Sequence, residues 1–200
     1  MIWALVPAKA FDRGKSRLAP ALPDPARQAL AQRLFEHVLE TIIASHAVDG
    51  ILVSTDSRAV ANAARKYRAF VRLDPPGVAT LAGVVDGGLV ELEARGARAA
   101  LVLMADLPAI QPVDVRAVVG LLSNHQVVLV PAADGRHTNA LALSPPTCLR
   151  TAFGRSDSFE AHLTAARTAC LRVAMLENPR LAFDVDGPAD HARLLRSLQT

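Results

Sequence analysis

Three carboxylates and three cations are the residues of this chain whose types and spacing suit chemistry. Asp184 and Asp186 flank Val185 in the run Phe183-Asp184-Val185-Asp186. In an extended backbone, residues i and i+2 point to the same face. Two like charges held side by side repel unless solvent or a cation neutralises them, and hard oxygen ligands of this kind suit Mg²⁺ or Mn²⁺. The competing role for Asp186 is to N-cap a helix beginning at Gly187-Pro188. Asp106 follows the apolar run Leu103-Met104-Ala105 and precedes Leu107-Pro108, so its carboxylate should emerge where a strand gives way to a loop. Its competing role is to cap the backbone amides of that turn. Lys9, Lys15 and Arg17 lie between the first apolar run and the first helical pattern. Cations there suit a phosphate chain, with Lys as a point charge and Arg as a bidentate donor; the alternative is a solvated basic loop. The segment contains neither GxxxxGK[ST] nor GxGxxG, and the chain has no HExxH and no GxSxG, so P-loop, dinucleotide, zinc-hydrolase and triad chemistry are disfavoured by motif. Asp56, at the end of the second apolar run, is assigned no role.

The elements that must position these groups follow from apolar runs and punctuating residues. Residues 2–6, 50–55, 69–73 and 99–105 are continuous apolar runs, which predicts parallel strands covered on both faces. Helical patterns fall between them. The first is expected to open at Asp24-Pro25, with Asp24 as N-cap, and carries Leu30, Leu34, Val38 and Ile42 on one face. Residues 57–67, 80–95 and 112–123 complete the alternation. Such alternation predicts a doubly wound sheet, right-handed crossovers and a ligand crevice at the carboxyl ends of the strands. After residue 125 the pattern changes: 126–131 and 138–143 read as a hairpin about Asp134-Gly135. A helix over 157–170, a strand over 171–176 and a terminal helix over 188–198 follow. The expected fold is therefore α/β: one domain over 1–200, with a mixed but mostly parallel sheet and helices on both faces.

Composition removes several function classes. The chain has 200 residues, 51% hydrophobic and 20% charged, with a mean hydropathy of +0.24. That is too apolar for a disordered chain, and no run approaches the roughly 20 apolar residues of a membrane helix. The first residues, Met-Ile-Trp-Ala-Leu-Val-Pro, lack the basic and apolar regions of a signal peptide, so a cytoplasmic location is expected. Cys148 and Cys170 have no metal-binding spacing and are expected to be free thiols. The net charge is +3 and the pI near 9.3. However, Lys9, Arg13, Lys15 and Arg17 against Asp12 alone give the first 17 residues an excess as large as that of the whole chain. A local anion site fits this better than a nucleic-acid face, which would also need aromatic stacking platforms. No nucleic-acid and no membrane partner is expected. The sequence leaves the oligomeric state open, a homodimer included.

Several short motifs, in order along nearly the whole chain, together resemble one family. They are Val6-Pro7-Ala8-Lys9 with Gly14-Lys15-Ser16-Arg17-Leu18, Ala105-Asp106-Leu107-Pro108, Thr138-Asn139-Ala140-Leu141, Phe153-Gly154 with Ser158-Phe159 and His162, and Phe183-Asp184-Val185-Asp186. The set is similar to the phospholactate and phosphoenolpyruvate guanylyltransferases of coenzyme F420 biosynthesis. The resemblance implies a nucleotide-diphospho-sugar-transferase-like fold of the molybdenum-cofactor guanylyltransferase type. The implied chemistry is Mg²⁺-assisted transfer of GMP from GTP to the phosphate of 2-phospholactate, phosphoenolpyruvate or a phosphoglycerate, with release of pyrophosphate; Mn²⁺ is the second candidate metal. By the same resemblance Asp106, Asp184 and Asp186 hold the metal, and Pro7, Lys9, Lys15, Arg17 and Asp106 contact the nucleotide. Lys9, Lys15, Arg17 and Asp106 form the catalytic set, and Thr138, Gly154 and Ser158 hold the phospho-acid. The product would pass to a downstream deazaflavin transferase. Rival readings are a relative using another nucleotide or acceptor, and a GTP-binding protein without turnover. Two places differ from the family pattern: the stretch after Gly77 reads Val-Ala-Thr-Leu-Ala in place of a Leu-Asn-x-Ala pattern, and Arg155 and Asp157 lengthen the Phe153-Gly154 segment. An arginine added there is placed to read a second charge on the acid.

Overall fold

The computed structural model describes residues 1–74 and 80–197. The start of the stretch after Gly77 and residue 198 of the expected terminal helix lie outside the described residues. Among the described residues seven strands form one sheet: β1 (Ile2–Pro7), β2 (Gly50–Thr55), β3 (Phe70–Leu73), β4 (Ala99–Leu103), β5 (Val127–Pro131), β6 (Thr138–Leu143) and β7 (Val173–Met175). The α-helices of the described residues are α1 (Asp24–Ser45), α2 (Arg58–Lys66), α3 (Leu81–Ala94), α4 (Pro112–Leu121), α5 (Ser158–Thr168) and α6 (Pro188–Ser197). The strand order is β3-β2-β1-β4-β6-β5-β7. β6 runs antiparallel to both β4 and β5, while the remaining pairs are parallel. The expected mixed sheet and hairpin are thus present.

Alternation along β1 shows how both faces are filled. Ala4 and Val6 pack with Phe35, Val38, Leu39 and Ile42 of α1, Val60 and Ala63 of α2, and Val115 and Val118 of α4. Trp3 and Leu5 face the opposite way, towards Val85, Leu89 and Leu92 of α3, in an apolar cluster that continues along the sheet to Leu163 and Ala166 of α5. β1 carries large apolar side chains on both faces because both faces are buried. The edge strand departs from this expectation: Phe70 is 49% and Leu73 56% exposed. β3 has a neighbour on one side only, and Phe70 is covered in part by the Arg95 guanidinium, 4.9 Å above its ring.

The start of α1 is also corrected. Pro23 is the N-cap, Pro25 lies within the first two helical positions, and Asp24 pairs with Arg27 instead of capping. Along the α1 stripe, Val38 and Ile42 enter the sheet core. Leu34, with Leu30 packed alongside, joins a separate small cluster with Leu18, Phe183 and Val185. One helix therefore serves both the core and the loops that carry the site. Both cysteines are free. Among the described residues no helix is long and apolar enough to cross a membrane.

Candidate active site

The strand order reverses between β1 and β4, so their following loops diverge and leave a crevice at their carboxyl ends. The loop after β1 carries Lys9, Lys15 and Arg17, and the loop after β4 carries Asp106. Asp184 and Asp186 arrive from the far end of the chain, in the extended segment between β7 and α6. Phe183 and Val185 bury their side chains against Leu18 and Leu34, which turns the intervening carboxylates outward together, as period-two geometry requires. The Val185 amide donates to the Asp106 carbonyl at 3.3 Å, tying the two acidic segments edge to edge.

Ligand oxygens of Asp106, Asp184 and Asp186 lie within 4.8 Å of one another. The Lys15 ammonium donates to Asp106 Oδ2 and, at 3.2 Å, to Asp186 Oδ1. Arg17 Nη1 approaches Asp186 Oδ2 at 3.4 Å from the solvent side. Lys15 reaches this position from a left-handed backbone conformation, φ 56°, just before a short 3₁₀ turn over Ser16–Leu18; Leu18 anchors that turn in the small cluster. Burial alone would lower the Lys15 pKa, yet the paired charges of Asp106 and Asp186 outweigh it and hold the ammonium above its ordinary value. Burial pushes the Asp184 carboxyl up; a hydrogen bond from Asn139 opposes this, and the like charges of Asp106 and Asp186 add to it. Three hard oxygen donors this close, with one positive charge already set among them, fit a divalent cation of the Mg²⁺ or Mn²⁺ kind.

Both turn-capping alternatives are resolved. Asp186 does not cap α6: Asp190 Oδ2 accepts the amides of Asp186 and Gly187, at 3.1 and 2.8 Å, and leaves the Asp186 carboxylate for Lys15 and Arg17. Asp106 likewise binds Lys15 through its side chain. Pro7 is the last residue of β1, paired with Ser54 at the rim of the crevice. Lys9 is exposed on the same loop and makes no ion pair among the described residues, so Lys15 and Arg17 are the cations brought to the carboxylates.

Of Thr138, Gly154 and Ser158, the first and last meet. The Thr138 amide donates to Ser158 Oγ at 3.1 Å, joining the start of β6 to the first residue of α5. Gly154 has φ +88°, a backbone conformation that L side chains rarely adopt, and a Cβ there would stand 3.4 Å from the Leu81 side chain. Arg155 is engaged by Asp157 through two hydrogen bonds of 2.8 Å.

Three residues without an assigned role prove structurally central. Asn139 Nδ2 donates to Asp184 Oδ1 at 3.0 Å and to the carbonyls of Leu181 and Ala182 at 3.0 and 3.2 Å. Buried Asp114 receives Arg180 Nε at 2.7 Å and Asn178 Nδ2 at 2.7 Å, and accepts the Gln111 amide at the start of α4. Asp114 braces the returning segment at Asn178 and Arg180, and Asn139 braces it from Leu181 to Asp184. His162, fully buried, bonds Thr138 and the Ala152 amide. The one local signal was a polar pair, Thr138-Asn139, opening an otherwise apolar strand.

Comparison with known proteins identifies the family and the fold. The family described as guanylyl transferase CofC like matches residues 2–196. A phosphoenolpyruvate guanylyltransferase of Sphaerobacter thermophilus is 39% identical over 191 residues, covering 94% of this chain and 89% of the relative. One of Conexibacter woesei is 35% identical, covering 94% and 84%. In fold, the chain is similar to a structure described as a putative nucleotide-diphospho-sugar transferase from Desulfovibrio desulfuricans, with a TM-score of 0.83 at 14% identity over 100% of this chain and 88% of that one. A Mycobacterium tuberculosis protein solved in complex with manganese matches at a TM-score of 0.58 and 18% identity, covering 98% of each chain. With the family match spanning residues 2–196 and relatives of 35–39% identity over most of the chain, the chain belongs to the guanylyl transferase CofC-like family.

Proposed function

We propose that this protein transfers GMP from GTP to the phosphate of a small phospho-acid, with phosphoenolpyruvate as the first candidate, in the biosynthesis of coenzyme F420. The observation that carries the reading is the meeting of Lys15 with Asp106 and Asp186, Asp184 alongside, at the carboxyl ends of β1 and β4. The choice of acceptor rests on relatives named phosphoenolpyruvate guanylyltransferase at 30–39% identity. 2-Phospholactate and the phosphoglycerates are the remaining acceptors.

Chemically, an acceptor phosphate oxygen attacks the α-phosphorus of GTP in line. The bond to the β-phosphate bridging oxygen breaks, and pyrophosphate leaves with the electron pair. Two anions must be brought together, so orientation and charge neutralisation supply most of the catalysis and no covalent nucleophile is needed. Asp106, Asp184 and Asp186 would hold Mg²⁺, with Mn²⁺ as a substitute, and a bound ion would supply positive charge that offsets the repulsion between the two anions. Lys15 and Arg17, joined by Lys9 from the same loop, bind the triphosphate and stabilise charge moving onto pyrophosphate. Thr138, Gly154 and Ser158 form the acid subsite.

The test is pyrophosphate release from GTP and Mg²⁺ with each acid in a separate tube, with and without the downstream deazaflavin transferase and its substrate. A metal-dependent signal with phosphoenolpyruvate, absent with CTP or ATP, is expected. Silence with every acid in both sets, GTP binding being retained, would overturn the reaction.

A further inference from the structure

We infer that His162 is a positioning residue for the phospho-acid: locked in one tautomer, it turns the Thr138 hydroxyl into a hydrogen-bond donor at the acid subsite. The inference rests on the reading of Thr138, Gly154 and Ser158 as that subsite.

The argument is an accounting of protons. The Ala152 backbone amide donates to His162 Nε2 at 2.7 Å. An amide has only a hydrogen to give, so Nε2 must offer its lone pair, and the neutral ring then carries its proton on Nδ1. Nδ1 lies 3.0 Å from Thr138 Oγ1 and therefore donates to it. A hydroxyl has one proton and two lone pairs; with one lone pair taken by His162, the Thr138 proton is left to give. The same logic holds one step away, because Ser158 Oγ accepts the Thr138 amide at 3.1 Å and keeps its own proton to donate. Two adjacent hydroxyls thus become donors, the polarity an acceptor-only phosphate or carboxylate requires.

Rigidity makes the arrangement effective. His162 is 0%, Ser158 2% and Thr138 3% exposed, and the Phe153 ring meets the imidazole edge-on at 4.8 Å between centroids. The Ala152 amide that sets the tautomer lies two residues before Gly154, so one ring ties the glycine turn, β6 and α5 together. The charge of Asp86 acts on the ring, and its carboxylate is itself held by the Thr151 amide at 3.0 Å and by Arg150 at 3.6 Å. Burial keeps the imidazole neutral, with its pKa down at about 4.

Two isosteres separate the two bonds. In His162→Gln the side-chain carbonyl takes the Nε2 position, accepts the Ala152 amide and removes the donor to Thr138. In His162→Asn the amide nitrogen stands near Nδ1 and restores that donor. The Gln variant is expected to raise KM for phosphoenolpyruvate on the order of tenfold, the scale of one misdirected hydrogen bond to an anion, with KM for GTP unchanged. The Asn variant should recover most of that loss. In a Thr138→Val background, which itself raises KM for the acid, His162→Gln should add nothing further. If Thr138→Val raises KM for the acid while His162→Gln leaves it unchanged or adds to it independently, the positioning role is overturned and the subsite stands. If Thr138→Val leaves KM for the acid at the wild-type value, the subsite reading fails first. A readout independent of turnover is the ¹⁵N imidazole spectrum of the wild-type protein: the Nδ1-protonated tautomer of His162 is expected, and an Nε2-protonated ring would refute the inference.

Discussion

At the scale of single residues, the site consists of charges that would not remain together without one another. Asp184 is half-buried beside two further carboxylates, and Lys15 is the cation that offsets them. Asp106→Asn removes one oxygen ligand and one Lys15 partner while keeping the shape of the side chain. Metal-dependent pyrophosphate release should fall at least ~100-fold, the usual cost of removing a group that stabilises transition-state charge, with the circular dichroism spectrum unchanged. A wild-type rate would remove Asp106 from the site. Lys15→Met leaves three carboxylates facing one another, so the melting temperature should drop in EDTA and recover with Mn²⁺. An equal melting temperature in EDTA and Mn²⁺ would mean the trio does not bind the ion.

At the scale of elements, the positions of Asp184 and Asp186 depend on contacts that do no chemistry. The segment that carries them is clamped by Asn139 from β6 and by Asp114 from α4, and seated on Leu18 and Leu34. Asp114→Ala deletes the bidentate Arg180 bond and a carboxylate that accepts the Gln111 amide at the helix start. The paired groups hold the Asp114 carboxyl below the usual carboxylate range despite the opposing effect of burial. A loss of ~2–3 kcal/mol is expected from a broken charged network and a lost cap, measured by urea unfolding. The rate should fall as well, although Asp114 is remote from the chemistry. A variant with an unchanged rate would show that the acidic segment keeps its place without this brace.

At the scale of the whole molecule, a buried neutral histidine links folding to pH. The His162 pKa falls from 6.5 to about 4 because burial disfavours the charged ring, with Asp86 opposing this effect. Between those values the unfolded chain takes up a proton that the folded chain refuses, so stability declines as pH drops through that window and is unaffected by this group above it. The full difference is up to ~3 kcal/mol. Urea midpoints measured from pH 7.5 down to pH 4.5 should decline more steeply in the wild type than in His162→Asn. Parallel slopes would remove His162 as the cause. The sheet explains why one ring has this reach: it joins β6, α5 and the loop before Gly154, at one side of the crevice formed where the strand order turns.

The alternation of apolar runs with helical stripes was sufficient for the order of elements, the parallel half of the sheet and the hairpin that adds an antiparallel strand. Those features follow from side-chain periods of two and 3.6 residues, which are local properties of the chain. The same local rule put Asp184 and Asp186 on one face. Edge exposure at β3 was not legible, since an apolar run reads alike whether one neighbour or two will cover it. The site's internal bonds lay further out of reach. Lys15 meets Asp106 across 91 residues and Asp186 across 171; nothing within a few residues of Lys9, Lys15 or Arg17 distinguishes the cation that will be buried from those that stay in solvent. Asn139 and Asp114 acquire their roles only when the returning segment lies against them. The tautomer of His162 depends on the direction of one backbone amide. Residue types and spacing determined which groups were available, and long-range packing decided which of them touch, because a hydrogen bond needs ångström-scale placement that local periodicity does not specify.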